Sequence, residues 1–143
     1  MATTVNNTTT NSRITIIFDA DGSLDGNGPA KGTGNTESDV YLDSSIYFNI
    51  RSHTEIDANV HALQWNATTN TGELEYIDNR QNESLSSFPQ WATNVVIRCE
   101  AQDIWQNSYE TSIASEDANV QANATSTANT ERDNYLSAHN ITY

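Results

Sequence analysis

Residues 60–77, VHALQWNATTNTGELEYI, contain two short runs that are typical of strands, and in the second run apolar and polar side chains alternate. The first run is 60–65, and a polar linker ending in Thr-Gly joins it to the second run, 73–77. In the second run Leu74 and Tyr76 fall on one face of a strand and the glutamates fall on the other. Alternation with a period of two is typical of a half-buried antiparallel sheet, so the stretch predicts a β-hairpin.

Upstream runs rich in β-branched and aromatic residues indicate more strands. These predicted strands cover residues 13–18, 40–42 and 46–51. In the last of them Ile46, Phe48 and Ile50 share one face, and Tyr47 lies on the opposite face. Together with the hairpin, these strands predict a small antiparallel sheet.

The periodicity changes from that of a strand to that of a helix at Ser87. A serine followed closely by Pro89 is typical of a helix start. Beyond it Val95 and Cys99 recur on one helical stripe, with further apolar residues on an overlapping one. We therefore predict a helix from about residue 90 to about residue 112 that packs against the sheet.

The predicted fold class is α+β, with the antiparallel sheet at about residues 13–77 and the C-terminal helix starting at about residue 89. Sheet and helix form one predicted domain, 13–112. Asn, Thr and Ser dominate both ends of the chain, which predicts a polar extended arm at 1–12 and a polar arm or helix extension at 113–143. The composition leaves open whether the last segment is helical or irregular.

The charge of the chain excludes two classes of partner. Six basic and 19 acidic residues give a formal net charge of −13, and phosphate contacts require Lys and Arg, so neither nucleic acid nor an anionic membrane surface is an expected partner. No apolar run reaches the length of a membrane span and the start lacks a signal peptide, which predicts a protein made in a cytoplasm. The only cysteine, Cys99, follows an apolar run and is predicted to be a buried structural thiol.

The segment after the first strand contains the residues closest to a catalytic or metal motif. An apolar strand followed by Asp19-Ala20-Asp21-Gly22-Ser23 resembles the nucleophile motif of haloacid-dehalogenase-type phosphatases, which use two aspartates and magnesium. Such enzymes also need a phosphate-binding lysine on a helix and a later acidic pair. The only lysine of this chain lies in a glycine-rich loop, and no Asp-Asp pair exists, so a magnesium-dependent phosphatase is a remote alternative.

The same segment also resembles part of a calcium loop. Asp19, Asp21, Ser23 and Asp25 supply oxygen ligands at alternate positions, but neither of two possible starting points of an EF-hand loop places the required glutamate at position twelve. Calcium is therefore the one cofactor candidate, and these aspartates are its weak candidate ligands. No catalytic residue and no other cofactor is predicted.

The aromatic residues are predicted to be mainly core residues, with some of them available to a partner. Aromatic side chains are enriched at protein interfaces, and the helix carries two of them one turn apart. Ile113 and Val120 lie seven residues apart, which gives weak support to a coiled coil. The interface candidates are Trp105, Tyr109, Ile113, Val120, Tyr135 and Leu136.

A family resemblance covers residues 60–91. Its parts are the runs VHALQW (60–65), GELEYID (72–78), Asn82-Glu83 and FPQW (88–91). This order of strand, strand, turn and helix start is similar to a pattern in small proteins of tailed bacteriophages, although the present chain has a longer Asn-Thr loop between the strands. Members of that family are associated with tail and fibre regions, and the Asn/Thr-rich, lysine-poor composition resembles that of phages of aquatic hosts such as cyanobacteria.

The resemblance implies a non-enzymatic structural protein of a tailed bacteriophage virion, in the tail, associated with fibres or decorating the capsid. Its expected partners are other phage structural proteins, which it would contact by protein-protein docking as part of a homo- or hetero-oligomer. The expected location is the virion, assembled in the host cytoplasm. An assembly chaperone for tail or fibre proteins is the alternative.

Overall fold

The computed structural model describes residues 11–18, 37–52, 56–57, 59–76 and 78–143. The chain divides into two compact units, Met1–Val96 and Ile97–Tyr143. The first unit contains an antiparallel sheet and the start of a long helix, and the second contains the rest of that helix and two shorter ones. This architecture confirms the predicted α+β class. None of the described helices is both long enough and apolar enough to cross a membrane.

Within the described residues the sheet has six strands in the order β3-β2-β1-β4-β5-β6, and all neighbours are antiparallel. The strands are β1 Arg13–Ile17, β2 Glu37–Leu42, β3 Ser45–Arg51, β4 Val60–Asn66, β5 Thr71–Tyr76 and β6 Glu83–Leu85. The predicted β4–β5 hairpin is confirmed, with Asn66 opposite Thr71. Strand β6 was not predicted, because three residues are too few to show a period.

The core of the first unit is built on one face of the sheet, which we call the core face. On β1, Ile14 and Ile16 are completely buried, and full burial of each such side chain stabilises the fold by about 1.5–3 kcal/mol. Their neighbours on β2 and β4 are Val40, Leu42, Leu63 and Trp65, which are also buried. Two aromatic contacts, each with 5.3 Å between ring centroids, add to this core. They join Phe18 to Trp91 and Trp65 to Phe88.

Strand β3 contains a β-bulge that shifts its register against β2. Tyr47 lies opposite Val40 and Ile50 lies opposite Ser38, so the pairing advances two residues along β2 and three along β3. Between those pairs Asn49 has a φ of 55°, a left-handed conformation that asparagine adopts more easily than most residues. The extra residue places Ile50 on the core face together with Tyr47.

The bulge overturns one sequence-based prediction about side-chain faces. Ile46, Phe48 and Ile50 were expected on the same face, but Ile50 is 5% exposed while Ile46 and Phe48 are 53% and 61% exposed. The prediction places every second side chain on the same face, which holds only for a regular strand. One inserted residue moves every later side chain to the opposite face. Ile46 and Phe48 therefore lie on the opposite face of the sheet, which we call the outer face.

The helices are α1 Gln90–Ile113, α2 Ala118–Ala122 and α3 Ala124–Ala138. The bounds of α1 confirm the predicted helix to within a residue. Asp117 caps α2, because its carboxylate accepts hydrogen bonds from the backbone N–H groups of Asn119 and Val120. The segment whose structure the composition left open is thus largely helical. The domain and arm boundaries drawn from the sequence stay predictions.

In the second unit α3 runs antiparallel to the later part of α1. Trp105 Nε1 of α1 donates to Asn129 Oδ1 of α3 at 2.7 Å. Glu100, which precedes Trp105 in α1, accepts a hydrogen bond from the hydroxyl of Tyr135, which follows Asn129 in α3. Ala128 of α3 is completely buried. One cluster of the apolar core of this unit contains Ile97, Ala101, Leu136 and Ile141.

Candidate functional site

The outer face of the sheet is organised in rows of side chains that cross the strands. Cross-strand partners point to the same face, so the register of the sheet defines each row. One row crosses all six strands and changes from apolar to polar along its length. From β3 to β6 its members are Ile46, Tyr41, Thr15, Gln64, Glu73 and Ser84.

The apolar end of the outer face lies on β3, an edge strand of the described sheet. Ile46 and Phe48 are the exposed apolar side chains there, and half-buried Tyr41 and Ile17 lie beside them on β2 and β1. The exposed side chains of Ile46 and Phe48 offer apolar area to another protein.

The polar end of the outer face contains an open cleft of about 450 Å³ over strands β1, β4, β5 and β6. Thr15 Oγ1 donates to Gln64 Oε1 at 2.8 Å beside it, and Asn82 Nδ2 donates to Glu73 Oε1 at 2.9 Å. These hydrogen bonds hold two of the lining side chains in place. The polar side chains that line the cleft are Arg13, Gln64, Asn66, Thr71, Glu73 and Ser84.

The interface candidates of the second unit differ in how far the fold leaves them exposed. Trp105 and Tyr109 stack with ring centroids 5.0 Å apart and planes 9° apart, and both are half-buried. Trp105 also uses its indole N–H within the unit, as described above. Ile113 and Val120, at either side of the turn between α1 and α2, are 46% and 41% exposed and so remain accessible to a partner.

Tyr135 and Leu136 are used within the second unit. The Tyr135 hydroxyl donates to Glu100, and its ring lies 4.5 Å from that of His139. Burial, together with the hydrogen bond to Glu100, raises the pKa of Tyr135. Leu136 is 1% exposed in the apolar core, so its candidacy as an interface residue is wrong: a side chain enclosed by its own unit offers no area to a partner.

A cluster of charged side chains surrounds Arg80 in the first unit. Its guanidinium lies 2.9 Å from Asp57 and 2.6 Å from Asp78, and it stacks over the Tyr76 ring at 4.3 Å. The pKa of Asp57 is lowered first by a hydrogen bond from the backbone N–H of Asn59 and then by Arg80, whereas Arg80 is the leading cause of the lowered pKa of Asp78. Because all three charged groups are exposed, the cluster contributes little to stability.

The thiol of Cys99 is buried, as predicted. Burial raises the pKa of this thiol well above its usual value. Within the described ranges no three His, Cys, Asp or Glu side chains are arranged to hold a metal ion. The calcium candidates Asp19, Asp21 and Asp25 lie outside the described residues.

The exposed pair on β3 is the feature that sequence reasoning missed. The sequence did contain a signal, because Asn49 interrupts a run of β-formers with a residue that tolerates a positive φ. Comparison of the chain with protein-family models, with curated proteins and with solved structures found no match.

Proposed function

We propose that this chain is a non-enzymatic structural protein of a tailed bacteriophage virion, in the tail, associated with fibres or decorating the capsid, and that it acts by docking to other virion proteins. The structural observation that supports docking is the exposure of Ile46 and Phe48 on the edge strand β3. The assignment to a phage particle rests on the resemblance of residues 60–91 to small tailed-phage proteins.

Strand addition is the docking mode that fits this edge. A partner strand laid beside β3 would add main-chain hydrogen bonds and cover the apolar side chains of the outer face. Each of Ile46 and Phe48 is already partly buried, so completing their burial would contribute about 1–2 kcal/mol apiece. Main-chain pairing supplies affinity, and the pair of side chains supplies selectivity.

The charge of the chain favours a different protein over a second copy as the partner. Two chains that each carry a formal charge of −13 repel one another, while a partner with a basic surface is attracted. The apolar contact surface and the acidic charge together support a hetero-oligomeric contact with a basic virion protein.

Mass spectrometry of CsCl-banded particles of the phage that encodes the chain tests the proposal. A reproducible copy number relative to the major capsid protein is expected. Absence from particles, with abundance in the infected-cell lysate, would contradict the structural role and favour the assembly chaperone.

Variants locate the docking surface. Ile46→Ser combined with Phe48→Ser is expected to lower incorporation into particles without unfolding the chain, because both side chains are exposed. Ile113→Ser combined with Val120→Ser is the matched control in the second unit. If the control pair alone lowered incorporation, the docking surface would be on the helices and the role assigned to β3 would be wrong.

A further inference from the structure

The cleft at the polar end of the outer face carries an inference that does not rest on the proposed function. It lies on four adjacent strands, so its lining side chains are held at fixed spacing by the hydrogen-bonded register of the sheet. Sites on regular elements are positioned more firmly than sites on loops. Its volume of about 450 Å³ is within the range of small-molecule sites.

The cleft presents hydrogen-bonding groups of both kinds. The bond from Thr15 uses the amide oxygen of Gln64, and Asn66 uses its amide oxygen to accept from the backbone N–H groups of Thr68 and Thr69. Among the hydrogen bonds of the described residues, none uses the side-chain amide N–H groups of Gln64 and Asn66 as donors. These groups can therefore donate to a ligand. The carboxylate of Glu73 is the strong acceptor, and its bond from Asn82 occupies one side only.

The charges beside the cleft decide which class of ligand it suits. Arg13 and Glu73 both line it, so a full positive or negative charge would meet one attractive and one repulsive group. The net charge of −13 adds a general repulsion of anions, and one carboxylate opposed by a guanidinium is a poor cation site. A neutral ligand with several hydroxyl groups avoids both penalties, because each hydroxyl donates and accepts.

We propose that this cleft binds a neutral saccharide, with Gln64 and Asn66 donating to its hydroxyl oxygens and Glu73 accepting from its hydroxyl protons. Arg13 bounds the cleft at β1 and donates to a ring or hydroxyl oxygen. Ser84 and Thr71 complete the lining with hydroxyl groups that donate or accept as the ligand requires.

The test uses the full chain on a glycan array that includes neutral and anionic glycans, followed by ¹H–¹⁵N NMR titration with the neutral glycan that binds best. Chemical-shift changes are expected at the side-chain amides of Gln64 and Asn66 and along β5. Glu73→Ala is expected to weaken binding about ten- to hundredfold, as loss of a hydrogen bond to a charged group does.

Glu75→Ala is the matched control, since Glu75 lies on the same strand, faces the same side and carries the same charge, but pairs with Ala62 in the next row. It should leave the affinity unchanged. If Glu73→Ala disturbed the spectrum of the unliganded chain, Gln64→Ala would replace it, with the same weakening expected.

Three results would overturn the proposal. One is the absence of binding to any neutral glycan on the array. Another is equal weakening by Glu73→Ala and Glu75→Ala. The third is tighter binding of inorganic phosphate than of the neutral glycan, which would show that Arg13 makes the cleft an anion site.

Discussion

Gly72 is a position where a single added methyl group should damage the sheet. It lies on β5 opposite Trp65, and a Cβ there would lie 2.5 Å from the carbonyl oxygen of Gln64 and 2.7 Å from Cε3 of the Trp65 ring. Favourable contacts between carbon atoms lie at about 3.5–4.0 Å, so both approaches are about 1 Å too close. The oxygen belongs to the main chain and the indole is buried, so neither can swing aside.

We therefore expect Gly72→Ala to lower the free energy of unfolding by about 3 kcal/mol, at the upper end of the range for overpacked sites. Urea denaturation followed by circular dichroism measures this change. With a denaturant slope of about 2 kcal/mol per M, the midpoint should fall by about 1.5 M. The control is Thr71→Ala, an exposed neighbour on the same strand, which should change stability by less than about 0.5 kcal/mol.

A double-mutant cycle with Trp65→Leu identifies the source of the penalty. Removing the ring relieves one of the two clashes, so the penalty of Gly72→Ala should be smaller in that background, with a coupling of about 1 kcal/mol. An unchanged midpoint for Gly72→Ala alone would refute the close approach of β4 and β5 on which this reasoning depends.

Three other predictions concern groups away from the sheet centre. The buried Cys99 thiol, with its raised pKa, should react with Ellman's reagent at pH 8 only after unfolding, and rapid labelling of the native chain would contradict its burial. Leu136→Ala should lower stability by about 2–5 kcal/mol in urea denaturation; a stable variant that loses partner binding would restore its interface role. Arg80→Gln should raise the pKa of Asp78 more than that of Asp57 in a carboxyl NMR titration, because a backbone hydrogen bond is the leading cause only for Asp57. Since both pKa values are lowered by folding, the stability difference between parent and Arg80→Gln should be present at neutral pH and shrink as pH falls through them.

The parts of the fold that were predictable are those with local signals. The alternation around Leu74 predicts β5 without knowledge of its neighbours, and the serine and proline before residue 90 mark the start of α1. The exposure of Ile46 and Phe48 was not predictable in that way, because it depends on a one-residue irregularity at Asn49 that the pattern of hydrophobicity does not register.

The interface residues were predicted less well because their exposure depends on how α3 folds back. Leu136 stands out in the sequence as an apolar residue in a polar segment, which suggested a contact with a partner. Ile97 and Ala101, 39 and 35 residues earlier, pack with it in the structure. A contact between residues so far apart in the sequence does not appear in the hydrophobic pattern around Leu136. The cleft was missed for a similar reason, since its lining is gathered from four strands by their register.

The irregularity at Asn49 also bears on solubility. A regular edge strand with two large exposed apolar side chains would be a template for stacking identical chains into fibrils. The extra residue increases the local twist of β3 and breaks its run of evenly spaced backbone groups, so a flat copy of the same strand cannot pair along its whole length. In the proposed docking mode a partner strand would have to accommodate the kink, so Asn49 would both hinder aggregation and limit which strands can pair with β3.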